Sequence, residues 1–110
     1  MQKFRIENFL RGWFIGDFCP SVLKTKDFEV GVLTHYKNEN WPEHYQKIAT
    51  EFNVLISGSL SINNETFIPG DIFIIKPGEI IKPIFNEDCI VVCIKVPSIP
   101  NDKHEIKKND

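Results

Sequence analysis

The sequence predicts an all-β domain, a sandwich or barrel of short antiparallel strands. Three observations predict it. Short runs rich in Val, Ile and Phe recur along the chain. Turn formers punctuate them, as at Asn63-Asn64, Pro69-Gly70 and Pro77-Gly78. No segment longer than a few turns carries the i, i+3, i+4 spacing of an amphipathic helix.

Residues 1–27 form a covering or dimerisation segment. Its centre, Phe9 to Phe18, is crowded with large apolar side chains around Gly12, Gly16 and the charges Arg11 and Asp17. It packs over a sheet or against a second copy, or it walls a ligand site with aromatic rings. Phe28–His35 reads as the first strand. Trp41-Pro42 leads into His44-Tyr45-Gln46, where alternation turns His44 and Gln46 to one face and Tyr45 to the other. Glu51–Ser57 reads as a strand. Ser59–Ile62 and Glu65–Ile68 flank Asn63-Asn64, residues that tolerate the positive φ of a tight hairpin turn. Asp71–Ile75 follows. Ile80–Phe85 is shorter, and Pro83 places it at an edge. Cys89–Val96 is the last strand of the barrel, residues 28–97. Residues 98–110 form a polar tail, expected to fray, with His104 solvated in it.

Composition narrows the function classes. The chain has 110 residues, enough for one core. Its net charge of -2, with no basic stripe, argues against nucleic acid. Charges interrupt the N-terminus early, so it lacks a signal-peptide apolar core. No apolar run approaches the roughly 20 residues that span a bilayer. The expected location is the cytoplasm, with no membrane partner. Cys19, Cys89 and Cys93 read as reduced, mostly buried thiols. In a strand, Cys89 and Cys93 would lie about 13 Å apart, from a rise of about 3.3 Å per residue, too far for a disulfide.

The chemistry-bearing residues cluster in two stretches. His44, Gln46, Glu51 and Gly58 stand in the first, and Gly70, Lys76, Gly78, Ile81 and Phe85 in the second. Their spacing resembles the two motifs of cupins, G-x5-H-x-H-x3,4-E-x6-G and G-x5-P-x-G-x2-H-x3-N, over roughly residues 28 to 97. The departures are specific. Asn38 stands at the leading Gly, Gln46 at the second His, Lys76 at the Pro, Ile81 at the third His and Phe85 at the Asn.

The resemblance implies a double-stranded β-helix, or jelly-roll cupin barrel. It implies that His44, Gln46, Glu51 and Ile81 face a ligand inside. In cupins three imidazoles and a carboxylate hold Fe, Mn, Ni or Zn, a donor set that suits a divalent transition metal. Here His44, Gln46 and Glu51 would hold such a metal weakly or not at all, and no other cofactor is implied. His35, on the preceding strand, is a candidate replacement ligand. Without metal, His44 and Glu51 could work as an acid/base pair, as in metal-free cupin isomerases and epimerases. The structural alternative is that His44, Gln46 and Glu51 satisfy one another's hydrogen bonds. Lys76 and Lys82 read as solvated, or as anion contacts at the barrel mouth.

The expected function is binding of a small polar molecule, a sugar or small organic acid, with isomerase or epimerase activity as one outcome. The alternatives are a metal-dependent oxygenase or isomerase, and a non-enzymatic binding or structural module. The family further implies a homodimer, with Trp13-Phe14-Ile15 available for it.

Overall fold

The computed structural model describes residues 1–106. Two 3-10 turns, Ile6–Asn8 and Leu10–Gly12, precede ten strands. These are β1 (Trp13–Ile15), β2 (Glu29–His35), β3 (His44–Gln46), β4 (Thr50–Ser57), β5 (Leu60–Ile62), β6 (Glu65–Phe67), β7 (Ile72–Ile75), β8 (Pro83–Phe85), β9 (Cys89–Val96) and β10 (Lys103–Glu105). All ladders between strands are antiparallel.

One layer is a five-stranded sheet in the order β1-β2-β9-β4-β7. The other is built from the pair β10-β3 and the triplet β6-β5-β8. An antiparallel bridge between His44 and Ile81 joins them through two backbone hydrogen bonds of 3.0 and 2.9 Å. Pro83 stands in β8, at the edge of its triplet, where a missing N–H does least harm.

Alternation decides what faces the interior. On β9, Cys89, Val91 and Cys93 are buried, and Lys95 follows them in phase. On β4, Glu51, Asn53 and Leu55 share the inward face, while Phe52 and Ile56 point out. Register then sorts the barrel into two ends. Leu55 lies opposite Val91 at one end, and Glu51 lies opposite Lys95 at the other. Leu55, Leu60, Phe85, Cys89 and Val91 form the core at the first end. Phe67 and Phe73 stack beside it at 4.5 Å.

The hairpin between β5 and β6 turns on Asn63 and Asn64 at φ 50° and 70°, as the type I′ geometry demands. Gly58 of the first motif is required sterically. Its φ is +89°, and a Cβ there would lie 2.2 Å from the Asp88 carbonyl oxygen.

The segment Trp13-Phe14-Ile15 forms β1, the edge strand of the five-stranded sheet, paired with β2, and Trp13 packs over Gly31. Two expectations need correction. Cys19 is exposed rather than buried. The tail is not frayed where it is described: Lys103–Glu105 pairs with β3, and residues 107–110 lie outside the described residues. The reason is Asp102, buried at 6% exposure. Its carboxylate accepts the backbone N–H of Ile48 at 3.0 Å and of Ala49 at 2.8 Å. Those amides, in the β3–β4 turn, have no ladder partner of their own, so the carboxylate anchors the C-terminal strand to them. His104 is then half-buried, stacked on Tyr45 at 5.4 Å.

Candidate functional site

A cavity of about 910 Å³ opens between the two layers. Its walls are largely apolar, with Leu60, Ile62, Phe73, Phe85 and Val91 reaching it from the core end. His44, Glu51 and Ile81 line it. Gln46 is buried at 3% exposure but is not among the lining residues, and its side-chain oxygen has no hydrogen-bond partner. Lys76 and Lys82 are exposed and do not line the cavity.

His44 is 6% exposed. Its Nδ1 lies 2.9 Å from the Pro42 carbonyl oxygen. A carbonyl only accepts, so Nδ1 carries the proton and donates it, and Nε2 keeps the lone pair. Burial pushes the His44 pKa below the ordinary histidine value. The bond to Pro42 opposes this, Lys103 and Lys95 repel the proton, and Glu51 attracts it. The neutral imidazole is therefore favoured.

Glu51 is not hydrogen-bonded to His44. Asn53 Nδ2 donates to its Oε2 at 3.3 Å, and Lys95 Nζ lies 3.9 Å from its Oε1. His44 and Glu51 share the cavity and act on each other through space rather than through a hydrogen bond. Mutual hydrogen bonding of His44, Gln46 and Glu51 is corrected likewise, since each has other partners or none.

His35 is committed elsewhere. Its Nδ1 sits 2.6 Å from Glu39 Oε2, and its ring stacks on Phe85 at 4.3 Å. Glu39 Oε2 also accepts the Trp41 indole N–H at 2.6 Å. Burial raises the Glu39 pKa, but these hydrogen bonds outweigh it and hold the carboxyl below its usual value.

Sequence reading missed three cations that line the cavity, Arg11, Lys95 and Lys103. Lys95 lies opposite Glu29 on β2 and Glu51 on β4, and its ammonium is 5.0 Å from the Trp13 ring. Its phase with Cys89 and Cys93 was a legible signal. Lys103 carried none, because it arrives on β10. Its ammonium lies 4.3 Å over the Trp41 ring. The residue as a whole is exposed, with the Trp41 ring covering one side of its ammonium. Burial, then repulsion from Lys95, lowers its pKa to about 8.

A transition metal does not fit these residues. Among the described residues no three His, Cys, Asp or Glu side chains are grouped to hold one. Ile81 places an aliphatic chain directly beside His44. Gln46 does not line the cavity, and Glu51 is already engaged by Lys95. Two ammonium groups in the same space would repel a divalent cation.

The fold and cavity define a class: an antiparallel double-stranded β-helix with a chamber between its layers. Solved structures of that class place the chain among cupins by fold. A protein of Klebsiella pneumoniae with a double-stranded β-helix domain matches at TM-score 0.68 and 23% identity, over 97% of this chain and 93% of that one. A cupin-superfamily sugar phosphate isomerase of Silicibacter pomeroyi matches at TM-score 0.59 and 14% identity, over 74% and 58%. The Escherichia coli pirin YhhW in complex with nickel(II) matches at TM-score 0.64 and 18% identity, over 80% and 39%. The likeness at these identities is one of fold. No protein-family model and no curated protein matches the chain. The chain has the RmlC-like cupin fold with a departed metal motif.

Proposed function

We propose that this chain binds a small polar molecule, a sugar or small organic acid, inside the barrel, and that His44 exchanges a proton with it. The observation that carries this reading is His44 itself. Its ring is fixed through Nδ1 by the Pro42 carbonyl and lines a cavity large enough for a metabolite. A neutral imidazole with a free Nε2 is a general base near neutral pH. Glu51 stabilises the imidazolium that forms, without touching it. Proton removal and return is the chemistry of isomerases and epimerases, and a solved neighbour is named a sugar phosphate isomerase. A metal-dependent oxygenase is the weaker reading, since the donor set does not fit.

Both tryptophans, Trp13 and Trp41, line the cavity, so their fluorescence reports occupancy directly. The test screens sugars and organic acids by that signal, then incubates each binder in deuterated water. The expected result is deuterium uptake into a bound compound, lost in His44→Gln while binding persists. Uptake that survives His44→Gln would refute the role of His44. A panel with no binder at all would refute the pocket.

We also propose that the chain assembles as a homodimer through the outer face of the five-stranded sheet. Phe52 lies in register with Ile74 and Ile94, and Val54 with Ile72 and Val92. Ile72 is 74% exposed, and Ile56 and Ile74 are each 51% exposed. Such a contiguous apolar face is uncommon on a monomer. These outward positions on β4, β7 and β9 carry no charge, so two copies meet there without repulsion. Sedimentation at micromolar concentration should show a dimer, and Ile74→Lys a monomer. A monomeric parent protein would overturn the assignment.

A further inference from the structure

The charges lining the cavity are unequal in their partners. Glu51 engages Lys95, and Glu7 engages Arg5 outside the cavity. Glu39 takes hydrogen bonds from His35 and Trp41. Lys103 has no carboxylate within 4.0 Å among the described residues; its only close partner is the face of Trp41. Lys103 is exposed, yet it lines the same cavity as Leu60, Phe73 and Phe85 and brings a positive charge there with no counter-ion of its own. An anion supplied by a ligand would restore that balance.

The walls then choose the rest of the ligand. A polyol needs a polar partner for each hydroxyl, and this lining is mostly aliphatic and aromatic. Of the other cations lining the cavity, Lys95 is held by Glu51 and faces Glu29, and Arg11 stands near enough to act on Lys103 through space. We propose that the cavity takes an apolar-bodied organic acid, its carboxylate met by Lys103 and its hydrocarbon body against the wall of Leu60, Phe73 and Phe85. This rests on the reading of the cavity as a ligand site and narrows it from sugars and acids to one class. Lys103 also repels a proton from His44, so neutralising Lys103 by a bound carboxylate makes His44 the stronger base once the site is filled. Occupancy and basicity are thereby linked.

Tryptophan fluorescence titrations with phenylacetate, octanoate, their primary amides and glucose phosphate test the proposal on the unaltered protein. The acids should bind about tenfold tighter than their amides, the scale of one hydrogen bond to a charged group, and glucose phosphate weaker than either acid. Lys103→Met should remove the acid preference and leave amide binding unchanged. Equal binding of acid and amide, or tighter binding of glucose phosphate, overturns the proposal while the ligand pocket stands. An equal loss for acid and amide in Lys103→Met overturns the role of Lys103. If acids, amides and sugar phosphate all fail to bind, both the proposal and the pocket fall. The acid-to-amide comparison needs no variant, so the test survives a Lys103→Met chain that does not fold.

Discussion

Replacing Asp102 with Ala should cost about 3 kcal/mol of stability. The carboxylate accepts two backbone amides, Ile48 and Ala49, from a turn more than fifty residues away in sequence. Ala49 is 1% exposed, so its N–H finds no water when the acceptor is removed. Losing a hydrogen bond to a charged group there is worth about 2 kcal/mol. Ile48 is exposed, so water replaces most of its bond and the loss is about 1 kcal/mol. With an unfolding entropy near 2.1 cal/mol/K per residue, a 110-residue chain loses about 13 °C of Tm for 3 kcal/mol. Asp102→Asn keeps one acceptor oxygen and should lose about half as much. Urea denaturation measures both variants. The strand that Asp102 anchors carries Lys103, so amine acetylation read by mass spectrometry should label Lys103 faster in Asp102→Ala. A variant within about 0.5 kcal/mol of the parent, the range of an ordinary surface change, with unchanged Lys103 labelling, would refute the anchoring argument.

Gly31→Ala places a Cβ 2.7 Å from the Trp13 ring and should displace it, at about 1–3 kcal/mol. An unchanged near-UV circular dichroism spectrum would contradict this. His44 gives a pH signature. Its folded pKa is lowered, so the unfolded chain binds the extra proton as pH falls below about 6.5. Its contribution is present above that value and is lost toward acid. The parent should therefore lose more stability than His44→Gln between about pH 7 and pH 5, and parallel urea curves would count against a buried neutral imidazole. Ile81→His sets a second imidazole beside His44, since antiparallel bridge partners present side chains on one face. Together with Gln46→His it should create nickel or zinc binding, seen as thermal stabilisation that the parent does not show. No gain would mean that these positions do not share a site.

Most of the fold was legible because strands announce themselves locally. The run Cys89–Val96 and the Asn63-Asn64 turn each carry their own signal, in β-branched residues and in positive φ. Alternation along β9 also puts Lys95 in phase with the buried cysteines, a local signal the sequence reading left unused. Local signals failed for β1 and β10, each of three residues. β3, β5, β6 and β8 are equally short; β1 and β10 are set by their pairing with β2 and β3 across the fold.

The amino-acid sequence by itself determined the all-β class, the main strands, the inward faces and the departure of the metal motif at Gln46 and Ile81. Only the tertiary structure decided what the site contains. It left Gln46 out of the cavity lining, gave Glu51 to Asn53 and Lys95, and oriented His44 on the Pro42 carbonyl. It also carried Lys103 from a polar tail to the face of Trp41. The reason is physical. Alternation is a property of neighbours along the chain, whereas the seat of Lys103 depends on one buried carboxylate finding two amides across the barrel.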